Sequence, residues 1–280
     1  MSHMFKRVIV LLNDFEKIDI LLKKAIEFAT QRQISLEILY VQEEPLFATP
    51  DYFLSDDKAE EDKVDKEKIK DEIQKHLNRL DEVEKHSVLV FIDDTIDRLL
   101  VYAKNRKDIL IVSSYHKDIT PSLLKKTSYT YWIIKGEEEY KKSVLPIDLK
   151  DNSRESIQMA QDLFKEADLT LVHDYRYILD TLAIREDYLN VVPLTTTVDF
   201  ELDRQIKIEH KKVFESYKKE FSLSGDFIEG DGRLDADLIE FIKNGGFDVT
   251  ILYHHDEELF FSPTLILILL DQLSCDFFIF

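Results

Sequence analysis

The chain has 280 residues, of which 44% are hydrophobic and 33% charged, so it can bury a core and divides naturally into one large or two ordinary domains. Its net charge of −19 argues against nucleic acid and anionic membrane surfaces as partners, because phosphate binding needs clustered Lys and Arg. The single cysteine, Cys275, excludes an internal disulfide and fits a reducing compartment.

Met1-Ser2-His3-Met4 reads as an expression remnant with the native start at Met4, and it is set aside from fold reasoning. No basic region followed by a long apolar stretch opens the chain, so no signal peptide is expected. Lys6-Arg7 precedes the apolar run Val8 to Leu12, short and β-branched as a strand buried on both faces should be. Asn13-Asp14 ends it. Ile18 to Gln33 carries Leu21, Leu22, Ala25, Ile26, Phe28 and Ala29 at helical spacing. A second strand is expected over Leu36 to Val41. Pro45 and Pro50 break the chain, and an acidic stretch with Asp56, Asp57, Glu60, Glu61 and Asp62 follows. Ile69, Ile73, Leu77 and Leu80 then share one helical face. Strands are expected at Val88 to Ile92, Ile109 to Val112 and Tyr131 to Ile134, with helices at Ile96 to Ala103 and around Leu123-Leu124. Strands alternating with helices imply βα units on a parallel sheet.

After Gly136 and the linker-like Glu137-Glu138-Glu139 the cycle restarts. Lys141-Lys142 precedes a strand at Ser143 to Ile147, as Lys6-Arg7 precedes Val8. A helix over Ser153 to Ala167 and a strand over Leu169 to His173 echo the first copy. A helical stretch around Ile206 to Phe221 precedes a strand at Asp226 to Glu229. A helix at Leu234 to Ile242 and strands at Asp248 to Leu252 and Phe277 to Phe280 complete the second cycle. The period is far too long for a solenoid, so the repeat implies two domains of one fold, at 4–138 and 139–280.

Lys141-Lys142-Ser143-Val144-Leu145-Pro146-Ile147-Asp148, with Ser153 opening the next helix, resembles the first strand of universal stress proteins. His173 closing the second strand, Gly230-Asp231 after the third and Asp248 opening the fourth fit the same pattern. The resemblance runs over about residues 4 to 280 and is weakest in the two long middle stretches. It implies an α/β fold of two tandem Usp-like (adenine nucleotide alpha hydrolase-like) domains, each a five-stranded, mostly parallel sheet with helices on both faces. It further implies a cytoplasmic stress-response protein whose copies pair as an intramolecular pseudo-dimer, with a homodimer as a further option.

One branch of that family binds ATP through Gly-x2-Gly-x9-Gly-Ser/Thr after the fourth strand. Glycines let the backbone approach the phosphates, and the N–H groups at a helix start supply donors. In copy one those positions hold Ser113, His116, Lys126 and Thr127; in copy two they hold Tyr253, Asp256, Ile266 and Leu267. No glycine remains at any of them. Asp256 would stand where phosphates lie, and a like-charge pair at ~4 Å costs about 4 kcal/mol at an effective dielectric of ~20. That offsets much of a micromolar affinity, worth roughly 8 kcal/mol. Copy two keeps the base-side markers Pro146 and Asp148; copy one has Leu11 and Asn13 there, with Asp14 adjacent.

The expected function is therefore binding without catalysis, with no cofactor, of a small molecule or protein other than ATP in the usual pose. The crevice past the carboxyl ends of the strands is where a ligand should sit. Its candidate residues are Asn13, Asp14, Val41, Ser113 and Thr127 in copy one, and Pro146, Asp148, His173, Tyr253 and His254 in copy two. Two alternatives stand beside this reading. One is ATP or AMP held by side chains of copy one, with slow hydrolysis. The other is an interaction module that binds no ligand. His254-His255-Asp256-Glu257-Glu258 is read as a solvated loop tip rather than a metal site, since adjacent residues rarely converge. Asp148 and Asp151 are read as strand-end and helix-start carboxylates rather than an acid–base pair. Trp132, with Tyr129 and Tyr131, suits core packing or an interface equally. Leu265 to Leu270 is too short for a bilayer and reads as a helix on the sheet, with a contact surface as the alternative. Cys275 reads as a small core residue. No Ser-His-Asp pattern, nucleophile elbow, Walker A loop or GxGxxG is present.

Overall fold

A computed structural model describes residues 5–43, 56–80, 86–104, 106, 108–136, 139–149, 153–175, 196–229, 236–253 and 263–280. Contacts divide the chain into two compact units, 1–137 with 278–280, and 138–277.

In the first unit, strands β1 (Arg7–Leu12), β2 (Ser35–Gln42), β3 (Ser87–Ile92), β4 (Ile109–Ser114) and β5 (Thr130–Ile134) alternate with helices α1 (Ile18–Arg32), α2 (Asp56–Arg79), α3 (Thr95–Ala103) and α4 (Thr120–Lys126). The strands lie in the order β3-β2-β1-β4-β5, and every pair is parallel. Val8 to Leu12 and all of β4 are buried. Successive side chains of a strand point to opposite faces, so cover on both faces is required. Helix α1 presents Leu21, Leu22, Ala25, Ile26, Phe28 and Ala29 to the core. It ends where Gln33 turns left-handed at φ 55°. Gln33 and Ile34 then donate their N–H groups to the Thr30 and Ala29 carbonyls at 3.2 and 3.1 Å, which satisfies carbonyls the helix leaves open.

The expected strands and helices of this unit are present. Helix α2 differs in starting at Asp56, so it takes in the acidic stretch ahead of the apolar face. Acidic residues are favoured in the opening turns of a helix by its macrodipole, a signal that apolar spacing does not carry. The basic pair has a structural use: Lys6 Nζ meets Asp108 at 2.8 Å, and Arg7 pairs with Glu37. Glu37 also accepts from Arg106 at 2.9 Å and from Tyr102. Burial, with Glu37 second, pushes the Tyr102 phenol up. Trp132 is buried, with its ring 5.5 Å from that of Phe28 and 6.3 Å from that of Phe278.

The second unit has β6 (Lys142–Pro146), α5 (Ser153–Leu163), β7 (Asp168–Tyr175), α6 (Thr196–Phe221), β8 (Ser224–Glu229), α7 (Ala236–Gly245), β9 (Val249–Leu252), α8 (Pro263–Gln272) and the start of β10 (Asp276–Ile279), whose Phe278 and Ile279 are counted with the first unit. Its strand order is β8-β7-β6-β9, with β10 beside β9. The β6–β7, β6–β9 and β7–β8 pairs are parallel. Asp248 Oδ2 accepts the Lys141 and Lys142 backbone N–H groups at 2.7 and 2.8 Å, tying the starts of β6 and β9. Helix α5 stops at Leu163, four residues before the expected end, because the chain must turn to enter β7 at Asp168. The Leu265 to Leu270 run is helical, and Leu265, Ile266, Leu269 and Leu270 are buried. Cys275 is half-buried rather than in the core, with its Sγ 3.2 Å from Thr250 Oγ1. The Gly230-Asp231 and Asp151 assignments lie outside the described residues.

Gly225 is fixed by its surroundings. A Cβ there would meet the Leu171 carbonyl oxygen at 2.6 Å and the Phe214 ring at 3.0 Å. Gly225→Ala should lower the unfolding free energy of the second unit by about 1–3 kcal/mol. Urea unfolding followed by circular dichroism measures this, and an unchanged midpoint contradicts it.

Candidate functional site

In an open parallel sheet, ligands bind outside the carboxyl ends of the strands where the strand order reverses. In the first unit that point lies between β1 and β4, and the residues just beyond those strands define the crevice. Asn13 follows β1 directly. Its amide Nδ2 donates to the Val41 carbonyl at 3.1 Å and to Thr95 Oγ1 at 2.6 Å. Thr95 is fully buried and donates its backbone N–H to Glu43 Oε1 at 3.2 Å. One side chain thereby joins the ends of β1 and β2 to the start of α3. Asp14 reaches across to the β4 side, where its Oδ2 lies 3.5 Å from His116 Nε2. The same nitrogen lies 2.7 Å from Ser114 Oγ. A charge-relay triad uses both imidazole nitrogens. Here carboxylate and hydroxyl share one, so the cluster is not built to activate Ser114.

The rest of this crevice is engaged in the same way. The Phe15 ring stacks on Tyr40 at 5.2 Å between centroids, and burial, then Asp14, pushes the Tyr40 phenol up. The Thr127 hydroxyl donates to the Leu123 carbonyl at 2.9 Å and touches the Tyr131 hydroxyl. Burial holds the Tyr131 phenol far above its ordinary range. Thr127 is thus turned onto its own helix. Lys126 is exposed. Ser113 is the exception: it is 3% exposed, and its Oγ has no partner among the described residues.

In the second unit the reversal lies between β6 and β9. Pro146 is buried at the end of β6. Asp148 Oδ1 accepts from Ser153 Oγ at 3.1 Å, a strand end joined to a helix start. Between them Leu149 sits in the left-handed region at φ 64°, which costs a non-glycine residue about 1–2 kcal/mol. His173 is 1% exposed, and its Nδ1 lies 2.7 Å from the Ile147 carbonyl. A carbonyl only accepts, so Nδ1 carries a proton. Nε2 faces His210 Nδ1 of α6 at 3.4 Å. Phe214 and Phe227 close around the pair. Tyr175 meets the His210 ring edge-on and donates its hydroxyl to Asp203 Oδ1 at 2.8 Å. Burial pulls the His210 pKa down, against an opposing effect of Glu209.

The structure therefore brings Asn13 to Val41, and Asp14 to the β4 end that Ser113 occupies. It places Thr127, Asp148 and His173 in bonds of their own. Tyr253 follows β9 and is half-exposed; His254 and the His254 to Glu258 cluster lie outside the described residues. Among the described residues no three His, Cys, Asp or Glu side chains converge as a metal site. His116 and His210 stand in these networks, and sequence reasoning did not select them. His116 stood at a lost glycine position, a signal that could have been used; His210 meets His173 only through the packing of α6.

Residues 4–124 match the model of the universal stress protein family. No curated protein matches the chain. Among solved structures, a functionally unknown protein from Pseudomonas aeruginosa aligns at 15% identity and TM-score 0.63, covering 100% of this chain and 94% of that one. A universal stress protein from Archaeoglobus fulgidus aligns at 9% identity and TM-score 0.61, covering 99% and 97%. A putative universal stress protein from a second Pseudomonas aeruginosa strain aligns at 14% identity and TM-score 0.59, covering 100% and 94%. At these identities the likeness is one of fold.

Two outcomes follow from the crevice geometry. Asn13→Asp puts a carboxylate, which cannot donate, against the Val41 carbonyl. The first unit should lose about 1–3 kcal/mol, read by urea unfolding at pH 7; a loss confined to low salt would contradict the hydrogen-bond assignment. A His210 held below its ordinary pKa means that the unfolded chain binds more protons once the pH falls below about 6.5. Stability of the second unit is then highest above that pH, falls on acidification, and levels off below the folded-state value. His210→Phe should flatten this slope between about pH 7 and 5, and an unchanged slope contradicts the assignment.

Proposed function

We propose that this chain is a tandem universal stress protein that acts by binding rather than catalysis, and that its ligand is not ATP in the usual pose. The family match over 4–124 supports the first copy, and the like order of strands in the second unit supports the second. The family resemblance supports a stress-response role and a cytoplasmic site of action. No helix among the described residues is long and apolar enough to cross a membrane.

The observation that carries the reading is the engagement of the crevice by its own residues. The Asn13 amide holds the Val41 carbonyl, Asp14 and Ser114 meet on His116, and Thr127 is turned onto Leu123. A nucleotide would have to replace each of these bonds, without glycines to let it approach the backbone. These bonds are part-buried, and exchanging each costs on the order of 0.5–1.5 kcal/mol, a deduction from a micromolar affinity of roughly 8 kcal/mol.

A second reading is favoured by Ser113 alone. Its hydroxyl is buried and has no partner among the described residues, a donor for an anion in copy one that would keep ATP or AMP as a ligand held by side chains. One experiment separates the two. Purified protein is denatured and the released small molecules are chromatographed. The leading reading expects no stoichiometric adenine nucleotide; ATP or AMP at one equivalent per chain overturns it and establishes the second.

A further inference from the structure

At the opposite, amino ends of β6, β7 and β8, the second unit has a cleft of about 660 Å³, within the size range of small-molecule sites. Parallel strands begin where the intervening helices end, so α5, α6 and α7 all finish here, at Leu163, Phe221 and Gly245. The carboxyl end of a helix carries partial negative charge. The chain already directs donors onto those ends. Gln161 Nε2 donates to the Phe221 carbonyl at 3.3 Å, and Lys142 Nζ to the Gly245 carbonyl at 3.4 Å.

Asp168 and Asp226 also line the cleft, and among the described residues neither carboxylate has an ion-pair or hydrogen-bond partner. The two lining lysines are differently placed: Lys142 is on the α7 end, and Lys165 lies 4.0 Å from Asp162. Phe164, Phe241 and Phe247 supply aromatic walls, the last two with centroids 5.9 Å apart. Aromatic faces attract cations, and so do open carboxylates and helix carboxyl ends.

We propose that this cleft is a binding site for a small organic cation, an ammonium group carried on an apolar or aromatic body. The ammonium sits against Asp168 and Asp226, and the body lies on the phenylalanine rings. The site is separate from both crevices and does not depend on the reading given above.

The test uses the full chain with ring-labelled phenylalanine and follows its NMR spectrum against benzylammonium, benzyl alcohol and benzoate at physiological salt. Benzylammonium should give saturable shifts at Phe164, Phe241 and Phe247, with benzoate giving none. Asp168→Asn with Asp226→Asn should weaken the affinity about tenfold, as two partly exposed charge contacts allow. Ser224→Lys, which places a cation in the same cleft from an exposed position, should abolish it. The absence of saturable shifts with benzylammonium overturns the proposal. So does equal binding of benzyl alcohol, or an affinity unchanged in the two variants.

Discussion

A carbonyl that a parallel strand leaves open at its carboxyl end must be met by water, by a ligand or by the chain itself. In both units the chain supplies the donor. Val41 continues β2 past the point where β1 has stopped at Leu12, and Asn13 fills the gap with its amide. In the second unit the Ile147 carbonyl stands beyond β6, and the imidazole of His173 reaches back to it from β7. Different side chains from different strands do the same structural task. The consequence is also the same: the backbone carbonyl at the mouth of each crevice already takes a side-chain hydrogen bond.

What the two crevices offer a ligand then differs. The first is spanned at the strand-order reversal by Asp14 and His116, with Ser114 on the same nitrogen, and its buried Ser113 hydroxyl has no partner among the described residues. The second is backed by an aromatic and imidazole cluster, in which His173 passes its hydrogen bonding on to His210 and α6. A ligand displacing His173 would disturb the packing of α6 as well as one carbonyl contact. That makes the second crevice the more expensive to open.

Much of the fold was legible because its signals are local. Uninterrupted β-branched runs such as Val8 to Leu12 mark strands covered on both faces, and Leu21, Leu22, Ala25 and Ile26 mark the inner face of α1. The start of α2 was less legible, because its first turns are acidic and carry no apolar periodicity. The site was legible as a set of positions but not as a set of bonds. Asn13 and Thr95 are 82 residues apart, and His173 and His210 meet only because a long helix lies over β7 and β8. No spacing rule contains those contacts. Trp132 shows the same limit: an aromatic on the fifth strand suits a core or an interface, and no spacing rule contains its ring contact with Phe28.

The central claim is that the crevice acceptors are held by the chain's own side chains, and a crystal structure grown with saturating ATP tests it most directly. The account predicts the Asn13 amide still on the Val41 carbonyl, the His173 imidazole still on the Ile147 carbonyl, and no adenine ring in contact with either. An adenine base bonded to Val41, with Asn13 displaced, would contradict it.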